Sequence, residues 1–168
     1  QRRVDAVAGV VGGRLVVAGG HCGGRILTSV EAYTGTGWTP LPPMPHEAHT
    51  ATARVQNGRL HVMGGYQCDK HQVLEMTEEN GLAWTVKAEL PATRFGASST
   101  VFQDKIWVMG GIVVGEGASA SVIVYDAEAD AWDTAPRLPE PCPPCVGCHA
   151  AATVDGCIFL RSERRVFM

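Results

Sequence analysis

The sequence predicts an all-β repeat protein made of antiparallel four-stranded units, and two markers that share one period predict it. A glycine doublet ends an apolar run three times, at Gly19-Gly20, Gly64-Gly65 and Gly110-Gly111, so the second glycines stand at 20, 65 and 111. A tryptophan follows each doublet, at Trp38, Trp84 and Trp132. Both series advance in steps of 45 to 48 residues, which is room for four short strands and their turns.

Each unit opens with a small, apolar strand, at residues 5–11, 50–55, 97–102 and 149–154. Small side chains suit the narrow inner edge of a wedge-shaped sheet. A two-residue turn then reverses the chain at Gly12-Gly13, Asn57-Gly58, Asp104-Lys105 and Asp155-Gly156; Gly, Asn and Asp supply the positive φ of a type I′ hairpin. The second strands, Arg14–Ala18, Arg59–Met63 and Lys105–Met109, are almost continuously apolar, so both of their faces are covered. The third strands carry Val30–Tyr33 and Val122–Asp126, with 73–76 as a divergent middle copy. Trp38, Trp84 and Trp132 open the fourth strands and are expected between units, and each unit leaves through Leu41-Pro42, Leu90-Pro91 or Leu138-Pro139. In the last copy residues 157–160 align with a second strand, Arg161-Ser162 replaces the doublet, and residues 165–168 are expected to fold back as a short third strand.

The doublets, Tyr33 and Tyr125, the tryptophans and the terminal Leu-Pro pairs make the chain resemble the kelch-repeat family over essentially its whole length. The resemblance implies a partial kelch-type β-propeller, with blades at about 3–45, 46–91 and 92–139 and an incomplete fourth at about 145–168. Such an arc leaves sheet edges open, so the remaining blades or a second copy are expected to close it. The chain starts at Gln1 without an initiator methionine and reads as a fragment of something longer. Kelch-like propellers mostly serve as protein-binding platforms, often as the substrate-recognition part of ubiquitin ligase adaptors. The resemblance therefore implies a non-enzymatic scaffold for protein binding. The alternative is a kelch-type sugar or small-molecule enzyme, epimerase-like or oxidase-like.

Composition narrows the partners. Acidic residues number 17 against 14 basic ones, for a formal charge of -3, so no cationic field favours nucleic acid. The apolar runs are far shorter than the roughly 18 to 20 residues that cross a bilayer as a helix, and no membrane association is expected. Of six cysteines, three crowd into residues 142–148 and the others are scattered. That spacing does not resemble a disulfide framework, and a reduced, cytoplasmic chain is expected.

In an up-and-down blade the loop after the second strand and the loop to the next blade emerge on one face. That face gathers His21, Cys22 and Arg25, then Tyr66, Gln67, Asp69, Lys70 and His71, then residues 112–117. The loops between blades add His46, Glu47, His49 and Arg94. Arg94-Phe95-Gly96 matches an Arg-x-Gly opening common in kelch repeats; Arg3 is its counterpart, while Ala48 and Cys145 hold the same position elsewhere. A guanidinium there can fork onto a carboxylate, so Arg3, His21, Arg25, His46, Tyr66, Lys70 and Arg94 are the expected partner-binding residues for an acidic protein or peptide segment. The competing reading bonds the arginine to carbonyls of the neighbouring blade.

Cys142, Cys145, Cys148 and His149 have the ingredients of a zinc or iron-sulfur site. Strand alternation keeps them from converging, however, and the fourth ligand is weak. No metal or other cofactor is expected. The copper chemistry of kelch-like oxidases needs paired histidines with tyrosine, a pattern absent from the sequence, in which His61 reads as a core side chain. No catalytic residue is assigned.

Overall fold

The computed structural model describes residues 2–77, 81–141, 150–161 and 166–167, and every regular element in it is a β-strand. Three sheets run in simple antiparallel order. Blade one comprises Val7–Val11, Arg14–Ala18, Val30–Tyr33 and Trp38–Leu41; blade two Thr52–Gln56, Arg59–Met63, His71–Thr77 and Gly81–Lys87; blade three Ser98–Phe102, Lys105–Met109, Val122–Asp126 and Ala131–Ala135. The fourth sheet has three strands, Ala150–Val154, Cys157–Arg161 and Val166–Phe167. The short third strand expected at the end of the chain is therefore present, and the whole is an incomplete propeller.

Local backbone chemistry sets the register. Gly12 and Gly13, Asn57 and Gly58, and Asp155 and Gly156 all take positive φ, as a two-residue type I′ hairpin demands. The third hairpin differs by one residue from the sequence expectation. Its left-handed pair is Gln103 (φ 50°) and Asp104 (φ 56°), and Lys105 already pairs with Phe102. An ion pair to Asp126 at 2.8 Å holds Lys105 in the sheet. The first strands also start later than expected, because Asp5 and Thr50 are left-handed, each at φ 52°.

The core is divided into layers between blades, as in other stacked repeats. Between blades one and two, Val16, Val30 and Ala32 meet Leu60 and Leu74, all at 1% exposure or less. Each fully buried leucine there contributes about 1.5–3 kcal/mol. Met63 and Leu90 meet Ile106, Val108 and Tyr125 in the next layer, and Met109 and Val122 meet Ala151 and Leu160 in the last.

A single cross-strand row explains the tryptophans. Val55, Leu60, Leu74 and Trp84 lie side by side across blade two, and Val101, Ile106, Tyr125 and Trp132 across blade three. Each row packs on the blade before it. The Trp84 indole donates to Pro42 O at 2.9 Å and the Trp132 indole to Ala88 O at 2.9 Å, both on preceding blades. The same row in blade one is Val10, Leu15, Tyr33 and Trp38, with 55%, 42%, 41% and 50% exposure. Trp38, expected between blades, is thus solvent-facing, because this tryptophan packs backward and no blade among the described residues stands behind it. Trp84→Ala and Trp132→Ala should each cost about 2–4 kcal/mol in urea denaturation, whereas Trp38→Ala should cost less than about 1 kcal/mol.

The layer between blades two and three also buries two histidines. His61 Nδ1 and His71 Nε2 lie 2.9 Å apart with one proton between them. The His71 ring packs edge-on against Tyr125 at 4.3 Å. Tyr125 donates to Asp130 at 2.7 Å. Burial first, then the nearby cations Arg59 and Lys87, pushes His61 down to about 4. Burial and the charge of His61 push His71 down to about 3, against a small upward pull from Asp130. Both values lie below the ordinary pKa of about 6.5, so the unfolded chain binds protons that the fold refuses. The stability from this pair is therefore complete above about pH 6.5 and is lost as pH falls toward 4 and 3. The melting temperature should drop between pH 7 and 5, each proton costing about 1.4 kcal/mol per pH unit. His71→Gln should flatten that slope, and an unchanged slope in the variant would locate the acid sensitivity elsewhere.

Candidate functional site

The first two glycine doublets each join two blades and aim the residue that follows. The N–H of Gly20 donates to Ala48 O at 2.7 Å, and that of Gly65 to Arg94 O at 2.8 Å. These carbonyls belong to the lead-in of the next blade. A Cβ on Gly19 or Gly64 would lie 2.5 Å from the same oxygens, so the approach requires that both stay bare. The second glycine lets its own blade's lead-in come as close: a Cβ on Gly20 would meet Val4 O at 2.6 Å, and one on Gly111 would meet Phe95 O at 2.6 Å.

The residue after the doublet then pairs with that lead-in. His21 and Val4 exchange backbone bonds, Tyr66 N donates to His49 O at 2.8 Å, and Ile112 pairs with Phe95. One residue further on, every lead-in bends through a left-handed residue: Asp5, Thr50 and Gly96, at φ 52°, 52° and 60°. Thr50 N donates to Asp5 O and Gly96 N to Thr50 O, so the bends are linked from blade to blade. A β-branched threonine in this conformation is strained by roughly 1–2 kcal/mol.

Two repeat positions interleave to build a row of rings across three blades. His21 lies 5.4 Å from His49, His49 lies 6.3 Å from Tyr66, and Tyr66 lies 5.4 Å from Phe95, centre to centre. The last two contacts are edge-on, a favoured aromatic geometry. Asp5 bonds His49 Nε2 at 3.3 Å. Two clefts adjoin the row. One of about 400 Å³ is bounded by Ile26, Pro45, His46, Glu47, Tyr66 and Asp69. The other, of about 510 Å³, is bounded by Arg2, Arg3, Val4, His21, Cys22 and Gly23.

The structure brings most of the sequence-predicted residues to this face, in different states. Tyr66 is 46% exposed at the centre of the row. His46 presents an exposed ring while buried Gln72 clamps its backbone through bonds of 2.8 and 3.1 Å. Arg25 is exposed on the hairpin that pairs with His21-Cys22. Lys70 bonds Glu89 and lies 3.3 Å from Asp69; the Glu89 bond, before other causes, raises its pKa. Cys68 lines the cleft at Tyr66 as a half-buried thiol whose pKa burial pushes up.

Arg3 and Arg94 depart from the expected carboxylate clamp. Arg94 is 5% exposed and donates to Gly110 O at 2.8 Å, Ser121 O at 3.2 Å and Ser121 Oγ at 2.6 Å. Arg3 repeats the grip on Gly19 O and Ser29 O, both at 2.8 Å, and pairs with Glu31 at 2.5 Å. All these acceptors lie in the arginine's own blade, not the neighbouring one. The carbonyls that end the second strand and precede the third need donors, and the planar fork reaches both. Neither guanidinium is therefore turned outward to receive a partner's carboxylate.

Phe95 and His49 complete the row, although the sequence pattern presents Phe95 merely as the spacer between Arg94 and Gly96. The signal that finds them is the alignment of the residues after each doublet with the middle residues of each lead-in. Cys142, Cys145, Cys148 and His149 lie outside the described residues. Among the described residues, no three His, Cys, Asp or Glu side chains group to hold a metal ion.

Comparison with known proteins agrees with this architecture. The family model described as Kelch motif matches residues 2–45 and 93–139, and the chain belongs to the kelch-repeat family. It is 29% identical over 140 residues to Kelch-like protein 35 of Mus musculus, covering 79% of this chain and 23% of that protein. It is 30% identical over 146 residues to Kelch-like protein 33 of Homo sapiens, covering 83% and 25%. The chain thus spans about a quarter of the length of these curated relatives. The solved structure of YjhT superimposes with a TM-score of 0.75 over 97% of this chain and 68% of that one, at 12% identity, a likeness of fold.

Arg94→Ala should strand the Gly110 and Ser121 carbonyls and cost about 2–4 kcal/mol in thermal or urea unfolding. Arg94→Lys should recover little, since an ammonium cannot reproduce the planar fork. Unchanged stability in Arg94→Ala would return the guanidinium to the binding account.

Proposed function

We propose that the chain is a non-catalytic protein-interaction module that docks a segment of a partner protein across the row His21, His49, Tyr66 and Phe95. Within the kelch-repeat family, the role it would fill is the substrate-recognition part of a ubiquitin ligase adaptor. One observation carries the reading: side chains from three blades form one continuous aromatic row adjoined by two clefts, and no backbone bond of the propeller depends on their identity. Rings of this kind supply large contact area at low entropic cost, and tyrosine is a frequent interface anchor. The opposite face offers two-residue turns such as Asn57-Gly58, which present little surface.

A photo-crosslinking side chain placed at His46 tests the proposal against one at Glu128 on the turn face. Protein adducts should form from His46 and fall sharply when Tyr66 and Phe95 are both changed to alanine. Equal yield from both faces, or turnover of a sugar or other small molecule by the purified chain, would reject the docking face and favour the enzyme alternative.

A further inference from the structure

The docking face carries charge of both signs. Beside His21 stand Arg2 and Arg25, both exposed. Beside Tyr66, Glu47 and Asp69 line one cleft. Three cations of this face are engaged within the fold. Arg94 and Arg3 are held inside their own blades, and the ammonium of Lys70 is shared between Asp69 and Glu89. Glu47 is exposed and makes no ion pair among the described residues.

We infer that the cleft at Tyr66 receives an arginine side chain of the partner. The inference rests on the reading of this face as a protein-docking surface and reverses the charge that sequence alone assigns to the ligand. A guanidinium is planar, stacks on a phenol ring and forks onto a carboxylate. Tyr66 provides the exposed ring, and Glu47 provides an unpaired carboxylate from the adjoining loop of the same cleft. Pro45 and Ile26 form the apolar part of its wall, where the methylene stem of the arginine packs. Asp69 adds negative charge without losing its contact to Lys70.

Panning a random twelve-residue peptide library on the full chain tests this directly, with binding located from the aromatic proton shifts of Tyr66 and Phe95. Selected peptides should carry an arginine at a fixed position. Replacing it by citrulline, or changing Glu47→Gln, should weaken binding about fivefold to thirtyfold, the factor a cation–π contact with a partly desolvated ion pair is worth. Glu47→Gln should leave the melting temperature unchanged, since the carboxylate has no partner among the described residues. If peptides bind at Tyr66 and Phe95 but are enriched in Asp or Glu, or tolerate citrulline, the arginine inference is wrong while the docking face stands. If selected peptides shift residues of the turn face instead, or none is selected, both readings fall.

Discussion

The hydrogen bond from the second glycine of a doublet to the lead-in carbonyl of the next blade is the constraint on which the rest of the structure depends. At 2.7 and 2.8 Å it fixes where blade two stands against blade one and blade three against blade two. It forms because the first glycine has no Cβ to fill the space that the oxygen occupies. Adding even one methyl group brings that carbon within 2.5 Å of an oxygen, closer than any rotamer adjustment relieves, because the obstacle is backbone. Once the lead-in is seated, the residue after the doublet pairs with it, the left-handed bend follows, and the first strand enters the inner edge of its blade.

Arginine reinforces this joint without creating it. Arg94 meets the doublet of blade two through its carbonyl and the doublet of its own blade through its guanidinium. Ala48 holds the corresponding position in blade two and still accepts from Gly20 at 2.7 Å, so the backbone half of the joint survives where the side-chain half is missing. That asymmetry explains why an incomplete set of arginines is compatible with regular blades. It also explains why the guanidinium is a poor candidate for a partner contact: withdrawing it from buried carbonyls costs more than a surface ion pair returns.

Features that arise within one repeat were the most legible in the sequence. Asn57-Gly58 and Asp155-Gly156 specify their hairpins through φ alone, and the nearly continuous apolar strand Arg59–Met63, interrupted by His61, reads as covered on both faces. Relations between repeats were less legible. The exposure of Trp38 depends on the tryptophan packing backward onto the preceding blade, a direction that periodicity does not encode. The one-residue shift places the left-handed pair at Gln103 and Asp104, and glutamine is not among the residues by which turn chemistry marks such a position. Arg3 and Arg94 were placed on the right segment, yet whether a guanidinium turns outward or inward is decided by carbonyls 16 to 27 residues away.

The same division separates structure from recognition. Because backbone atoms make the joint between blades, the backbone pairing at the two positions that flank it does not depend on which side chains stand there. In this chain those positions hold His21, His49, Tyr66 and Phe95, and they touch because consecutive blades bring one position of each kind together. At the next step the partner of Phe95 is Ile112, an aliphatic side chain, so the row ends in blade three through residue choice and not through any change in backbone. A repeat that fixes its geometry through glycine and carbonyl can thus alter the length and chemistry of its binding surface by substitution at these two positions, with the blades unchanged beneath it.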